Sequence, residues 1–114
     1  RKMSYEIMGA LEYIRNHLGD DLTLPDVAAQ VNYSAGYLSY MFKQQLNMSF
    51  SDYIMKLKIE EAKTLLAQTN LKIYEIAGKT GYSDASYFNK VFRKAIGITP
   101  NQYRRLQRRA PKHD

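Results

Sequence analysis

A stretch of this chain from Phe50 to Gln68 is flanked by two segments that repeat one another, and an internal repeat limits the fold more tightly than any single motif. Ile76 and Ala77 stand where Val27 and Ala28 stand, and Gly81, Tyr82 and Ser83 stand where Asn32, Tyr33 and Ser34 stand, all at an offset of 49. One inserted residue then shifts the register. Tyr87, Phe88, Phe92, Arg93, Ile96, Gly97, Ile98, Thr99 and Tyr103 match Tyr37, Leu38, Phe42, Lys43, Leu46, Asn47, Met48, Ser49 and Tyr53 at an offset of 50. Both turn positions that hold Asn in the first copy hold Gly in the second. Those two residues tolerate the left-handed conformation best, so each marks the end of a helix.

The apolar spacing is helical throughout. Ser4 caps a helix whose stripe is Ile7, Met8, Leu11, Ile14 and Leu18, stopped by Gly19, Asp20 and Asp21. Thr23, with Pro25 in the first turn and Asp26 at the capping-box position, opens a short helix through Val27, Ala28 and Val31. Ser34 caps the next, whose apolar face is Tyr37, Leu38, Met41, Phe42 and Leu46. Ser49 and Asp52 open the long central helix, in which Phe50, Tyr53, Ile54, Leu57, Ala62, Leu65 and Leu66 recur at helical spacing without Pro or Gly; it is roughly 28 Å long at 1.5 Å per residue. Thr99, Pro100 and Gln102 open the last helix. The fold class expected is therefore all-α, with about seven helices forming two helix-turn-helix subdomains joined by a long connector. Residues 1–48 carry the N-terminal helix and first subdomain, 49–69 the connector, and 70–114 the second subdomain with a basic tail of Arg104, Arg105, Arg108, Arg109 and Lys112, broken by Pro111. Tyr37, Tyr53, Tyr87 and Tyr103 repeat at core-facing positions and are read as packing residues.

The net charge of +6 is unevenly placed. Residues 1–68 hold seven Lys or Arg against eight Asp or Glu, and residues 69–114 hold ten against three. A field of that sign favours a polyanionic partner, nucleic acid before anionic membrane; a solvated basic face is the plainer reading. The 114 residues include no Cys and two His, which removes disulfides, thiolate metal sites and cysteine nucleophiles. His17 lies at the end of the first helix as a solvated side chain with no second ligand near it. No paired carboxylates or Gly-rich phosphate loop supply a reacting centre, so an enzyme is disfavoured and no cofactor is expected. No run of about 18 apolar residues crosses a membrane, and a cytoplasmic setting fits.

Helix-turn-helix spacing places a second helix in the DNA major groove, with its early residues at base edges. Once Leu38, Met41 and Phe42 are assigned to the core, the opposite stripe of the first copy is Gly36, Ser39, Tyr40 and Lys43. In the second copy Phe88, Val91 and Phe92 take the core, leaving Ser86, Asn89, Lys90 and Arg93, with Ala85 at the start of the helix. Asn89 suits an adenine edge and Lys90 guanine acceptors. Gly36 offers close approach, Ser39 a hydroxyl, and Tyr40 a ring for a thymine methyl or a phosphate. Ser34 and Ser83 are first of all helix caps and secondly phosphate donors. Lys43, Arg93, Lys94, Arg104 and Arg105 are phosphate candidates; the basic tail is alternatively a frayed terminus.

The run Gly81-Tyr82-Ser83-Asp84-Ala85-Ser86-Tyr87-Phe88-Asn89-Lys90-Val91-Phe92-Arg93, followed by Gly97-Ile98-Thr99-Pro100 and Tyr103-Arg104, resembles the signature of the AraC/XylS family of bacterial transcription regulators. The likeness extends from about Ile7 to Arg105 and includes Tyr33-Ser34, Tyr37-Leu38-Ser39, Phe42-Lys43 and Ser49-Phe50. It implies a seven-helix domain that binds double-stranded DNA sequence-specifically, through recognition helices at about 35–46 and 84–96 in successive major-groove segments. It further implies RNA polymerase as a partner, and an N-terminal sensor or receiver domain, capable of dimerising, in the full-length protein. Family members often carry longer polar or basic groups where this chain has Gly36, Ser39 and Tyr40, so the second subdomain is expected to dominate affinity. The alternative is a helical protein-interaction module without DNA specificity.

Overall fold

The computed structural model describes residues 3–109, which form seven helices: α1 (Tyr5–Asn16), α2 (Leu24–Gln30), α3 (Ala35–Leu46), α4 (Phe50–Gln68), α5 (Ile73–Lys79), α6 (Ala85–Ile96) and α7 (Pro100–Arg109). Pro111 and Lys112 of the expected basic tail lie outside the described residues. The helices begin where the sequence supplies acceptors for otherwise unpaired N–H groups. Ser4 Oγ accepts from Ile7 N at 3.2 Å, Thr23 Oγ1 from Asp26 N at 3.2 Å, Ser34 Oγ from Tyr37 N at 3.1 Å and Ser49 Oγ from Asp52 N at 3.1 Å. At α7 the bond is reciprocal: Gln102 N donates to Thr99 Oγ1 at 3.1 Å, and Thr99 N donates to Gln102 Oε1 at 2.9 Å. Asn32, Asn47, Gly81 and Gly97 all have positive φ, at 60°, 58°, 89° and 97°. The left-handed exits expected from the Asn/Gly substitutions are present in both copies.

The chain forms two compact units that divide inside α4, between Leu57 and Lys58. In the first, Ile7, Ala10, Leu11 and Ile14 of α1 meet Val27 and Ala28 of α2, Leu38 and Phe42 of α3, and Phe50, Tyr53 and Ile54 from the start of α4. Rings organise this core: Phe42 lies edge-on to Phe50 and Tyr53 at centroid distances of 5.5 and 5.7 Å. In the second unit Ile59, Ala62 and Leu66 of α4 meet Ile76 and Ala77 of α5 and Phe88 and Phe92 of α6, with Tyr103 of α7 packed against them. Phe92 lies edge-on to Tyr103 at 5.7 Å, as Phe42 does to Tyr53. Both recognition-type helices are thus anchored by two side chains of zero exposure, Leu38 with Phe42 and Phe88 with Phe92.

The units match further than the flanking repeat suggested. Ile7, Ala10 and Ile14 of α1 correspond to Ile59, Ala62 and Leu66 of α4 at an offset of 52, and all six are buried. The second half of α4 therefore opens unit 2 as α1 opens unit 1, and its first half closes unit 1 as α7 closes unit 2. Four expectations are corrected. Met8 is 45% exposed, because at about 100° per residue it lies to one side of the face formed by Ile7, Ala10, Leu11 and Ile14. Tyr37 and Tyr87 are 48% and 55% exposed, while Tyr53 is buried and Tyr103 half-buried. The α1 stripe ends at Asn16, and Leu18 packs on the core from the following turn. His17 is half-buried, stacked on Tyr13 at 4.0 Å with Nδ1 donating to the Tyr13 carbonyl at 2.9 Å.

Candidate nucleic-acid interface

With Leu38 and Phe42 pinned inward, helical geometry turns Gly36, Ser39, Tyr40 and Lys43 outward, and all four are exposed. In α6 the same constraint from Phe88 and Phe92 leaves Ser86, Lys90, Arg93 and Lys94 exposed and Ala85 and Asn89 half-buried. α3 and α6 are both 12 residues long and begin and end at an offset of 50, so Gly36 corresponds to Ser86, Ser39 to Asn89, Tyr40 to Lys90 and Lys43 to Arg93. The two stripes are equivalent in position and different in chemistry. That of α6 carries cations and an amide, whereas that of α3 carries a notch, a hydroxyl, a ring and one cation.

The start of α6 departs from expectation. Ser83 does not cap it; Asp84 does, accepting from Ser86 N at 2.9 Å and from Tyr87 N at 3.5 Å. Ser83 is the inserted residue, so the register shift falls before the cap rather than after it. The structural equivalent of Ser34 is Asp84, and a carboxylate sits at the N-terminus of α6 where α3 has a neutral hydroxyl. The carboxylate meets the positive end of the helix dipole, and it adds a negative charge beside a basic stripe.

Asn89 uses one of its amide hydrogens within the helix, donating to the Ala85 carbonyl at 2.9 Å. This i to i−4 bond fixes the side chain's direction, and the second amide hydrogen and the carbonyl oxygen still form the donor–acceptor pair an adenine edge requires. Arg104, expected to meet phosphate, is turned toward the end of α4. Its Nε donates to Leu66 O at 3.1 Å and its guanidinium to Thr69 O at 3.3 Å. Arg108 donates to the same Thr69 carbonyl at 2.6 Å and to Asn70 Oδ1 at 3.0 Å. Helix C-termini leave carbonyls unpaired, and two arginines of α7 satisfy those of α4. Burial, and secondarily the neighbouring charge of Arg108, lower the pKa of Arg104. Arg105 points elsewhere and is exposed; with Ile98, Gln102, Leu106 and Arg109 it lines a shallow groove on α7.

The exposed Tyr37 and Tyr87 were missed as surface groups because their positions repeat, and repetition was read as packing. They repeat because both units place a ring on the first turn of the outward helix. Tyr87 approaches Tyr82 at 6.1 Å, and Tyr37 approaches Tyr33 at 4.6 Å. Burial, and then Tyr87, raise the pKa of the Tyr82 hydroxyl. Lys58 Nζ lies 4.9 Å above the Tyr82 ring, which places its charge on an aromatic face rather than on the α6 stripe.

A family model described as a helix-turn-helix domain matches residues 27–106. The chain belongs to the AraC family of transcription regulators. It is 41% identical over 95 residues to the regulatory protein PocR of Salmonella typhimurium, covering 83% of this chain and 31% of that protein. It is 34% identical over 103 residues to the arabinose operon regulatory protein of Escherichia coli, covering 90% of this chain and 35% of that one. Among solved structures it resembles the C-terminal domain of AraT, a response regulator from Geobacillus stearothermophilus, with a TM-score of 0.90 and 42% identity over 100% of this chain and 95% of that one. The chain spans about a third of the length of these two curated relatives. As an AraC-type domain it is a DNA-binding module of transcription regulation and not an enzyme. No helix among the described residues is long and apolar enough to cross a membrane.

Proposed function

We infer that this AraC-type domain reads double-stranded DNA through both α3 and α6, each entering one of two successive major-groove segments about 10 base pairs apart. The observation that carries the reading is the pair of outward stripes, one opposite Leu38 and Phe42 and the other opposite Phe88 and Phe92. Ser86, Asn89 and Lys90, with Ala85, read bases in one half-site; Gly36, Ser39 and Tyr40 read the other. Lys43, Arg93, Lys94 and Arg105 neutralise phosphates, and the exposed hydroxyls of Ser34 and Ser83 are neutral phosphate donors. Arg104 is assigned to α4 instead, because the carbonyls of Leu66 and Thr69 already hold its guanidinium. The working domains are residues 1–48, the connector 49–69, and 70–114.

The full-length protein is assigned a preceding sensor or receiver domain, a reading supported by the description of AraT as a response regulator and by the share of its relatives that the chain spans. RNA polymerase contact and a cytoplasmic location follow as parts of the same assignment. The test is selection of a duplex from a randomised pool, followed by footprinting on the selected site. Protection of two adjacent groove segments by one chain supports the two-helix reading; protection of one segment reduces the reader to a single helix. Failure to enrich any sequence overturns sequence-specific binding.

A further inference from the structure

Two rings on the outward face of α3 stand in water, outside the core of unit 1. Tyr37 is 48% and Tyr40 57% exposed. They are held in a row: Tyr33 lies edge-on to Tyr37 at 4.6 Å, and Tyr37 lies nearly parallel to Tyr40 at 6.4 Å with 22° between the planes. Tyr33 is half-buried and packs against the core, so the row is rooted in the fold.

Gly36 lies one helical turn before Tyr40, on the same face. A Cβ built there meets nothing within 4 Å, and its φ is not positive. The fold therefore does not need glycine at this position, although glycine inside a helix is destabilising relative to alanine. What Gly36 provides is open space one helical turn before Tyr40, on the same face. At the equivalent positions α6 has Ser86 and Lys90, both polar. The face that carries donors in unit 2 is a ring beside a notch in unit 1.

The thymine C5-methyl is the apolar recognition feature that base pairs present in the major groove. We propose that α3 selects thymine through that methyl group: it enters the notch at Gly36 and packs on the ring of Tyr40, while Tyr37 is a positioning residue that holds the ring. This deepens the two-helix reading and rests on α3 entering the groove.

The test uses the full chain and a duplex it has selected from a randomised pool, with each thymine of the α3 half-site replaced in turn by uracil, which lacks only the methyl. One replacement is expected to weaken binding about fourfold, the factor that corresponds to burying one methyl group. Tyr40→Phe should keep that ratio, since the ring and not the hydroxyl makes the contact. Tyr40→Ala and Tyr37→Ala should bring it to one, and Gly36→Ala should weaken the thymine duplex toward the uracil one. A ratio of one at every thymine in the parent, or loss of the ratio in Tyr40→Phe alone, overturns the methyl reading. Absent protection of the α3 half-site in the footprint is a different result and removes the insertion on which the inference rests.

Discussion

The carboxylate of Asp84 caps α6 and also sets a negative charge at the start of the helix that carries Lys90, Arg93 and Lys94. Asn caps as well as Asp but gives up the charge at the helix dipole, so Asp84→Asn should lower stability by no more than about 1 kcal/mol. It should raise affinity for all duplexes about threefold, the factor for removing one like charge roughly 7 Å from a phosphate in water; filter binding on selected and random DNA measures both. Asn89→Ala and Lys90→Ala should each cost about 1 to 3 kcal/mol on the selected site and relax preference at one or two base pairs. An unaltered motif from Asn89→Ala in a repeated selection would remove Asn89 from base reading. The arginines of α7 separate in the same way. Arg104→Met should lower urea stability by about 1 to 3 kcal/mol, since two carbonyls lose a charged donor, with no change in the salt dependence of binding. Arg105→Ala should flatten the slope of log affinity against log salt by about 0.9 and leave stability intact. These differences were not legible in the sequence. Arg104 and Arg105 are neighbours of one type, and only the position of the α4 terminus tells them apart; Ser83 and Asp84 are both competent caps, and the register decides between them.

At the level of elements, caps and exits were the most legible features. A capping side chain acts within three residues, and a left-handed exit needs Asn or Gly at one position, so both are local chemistry. Gly97 shows what the exit demands: at φ 97° with no atom within 4 Å of a built Cβ, Gly97→Ala meets strain rather than a clash and should cost about 1 kcal/mol or more. Asn47→Gly, at φ 58°, should change stability by no more than about 0.5 kcal/mol; thermal melts of the two variants compare them directly. The equivalence of α1 with the second half of α4 was not read, although Ile7, Ala10 and Ile14 have the same spacing as Ile59, Ala62 and Leu66. One uninterrupted helix carries no turn residue to mark where its service to one core ends and its service to the other begins. Tyr37 and Tyr87 were misplaced for a related reason: periodicity identifies a face, and a ring at the border of that face packs or projects according to neighbours distant in sequence.

For the whole molecule, the formal charge overstates what DNA can use. Four cations, Lys43, Arg93, Lys94 and Arg105, are assigned to phosphates, which predicts a slope of about −3.6 for log affinity against log salt; a slope near zero would exclude phosphate binding. α4 contributes buried residues to both cores, so inserting two alanines between Leu57 and Lys58 should change the helical phase between them by about 200° and the length by about 3 Å. Circular dichroism should retain the helical signal while affinity falls toward that of one unit, by about 2 kcal/mol or more. The matching offsets of α3 with α6, and of α1 with the second half of α4, describe one structural unit that occurs twice in one polypeptide. In a regulator made of two identical subunits, every substitution in the reading helix alters both halves of the target at once, so a new target must be gained in duplicate. Here each copy mutates alone. On the two-helix reading proposed above, one reader can keep its contacts while the other changes, and the two faces already differ: a row of tyrosines at α3 against Ser86, Asn89 and Lys90 on α6.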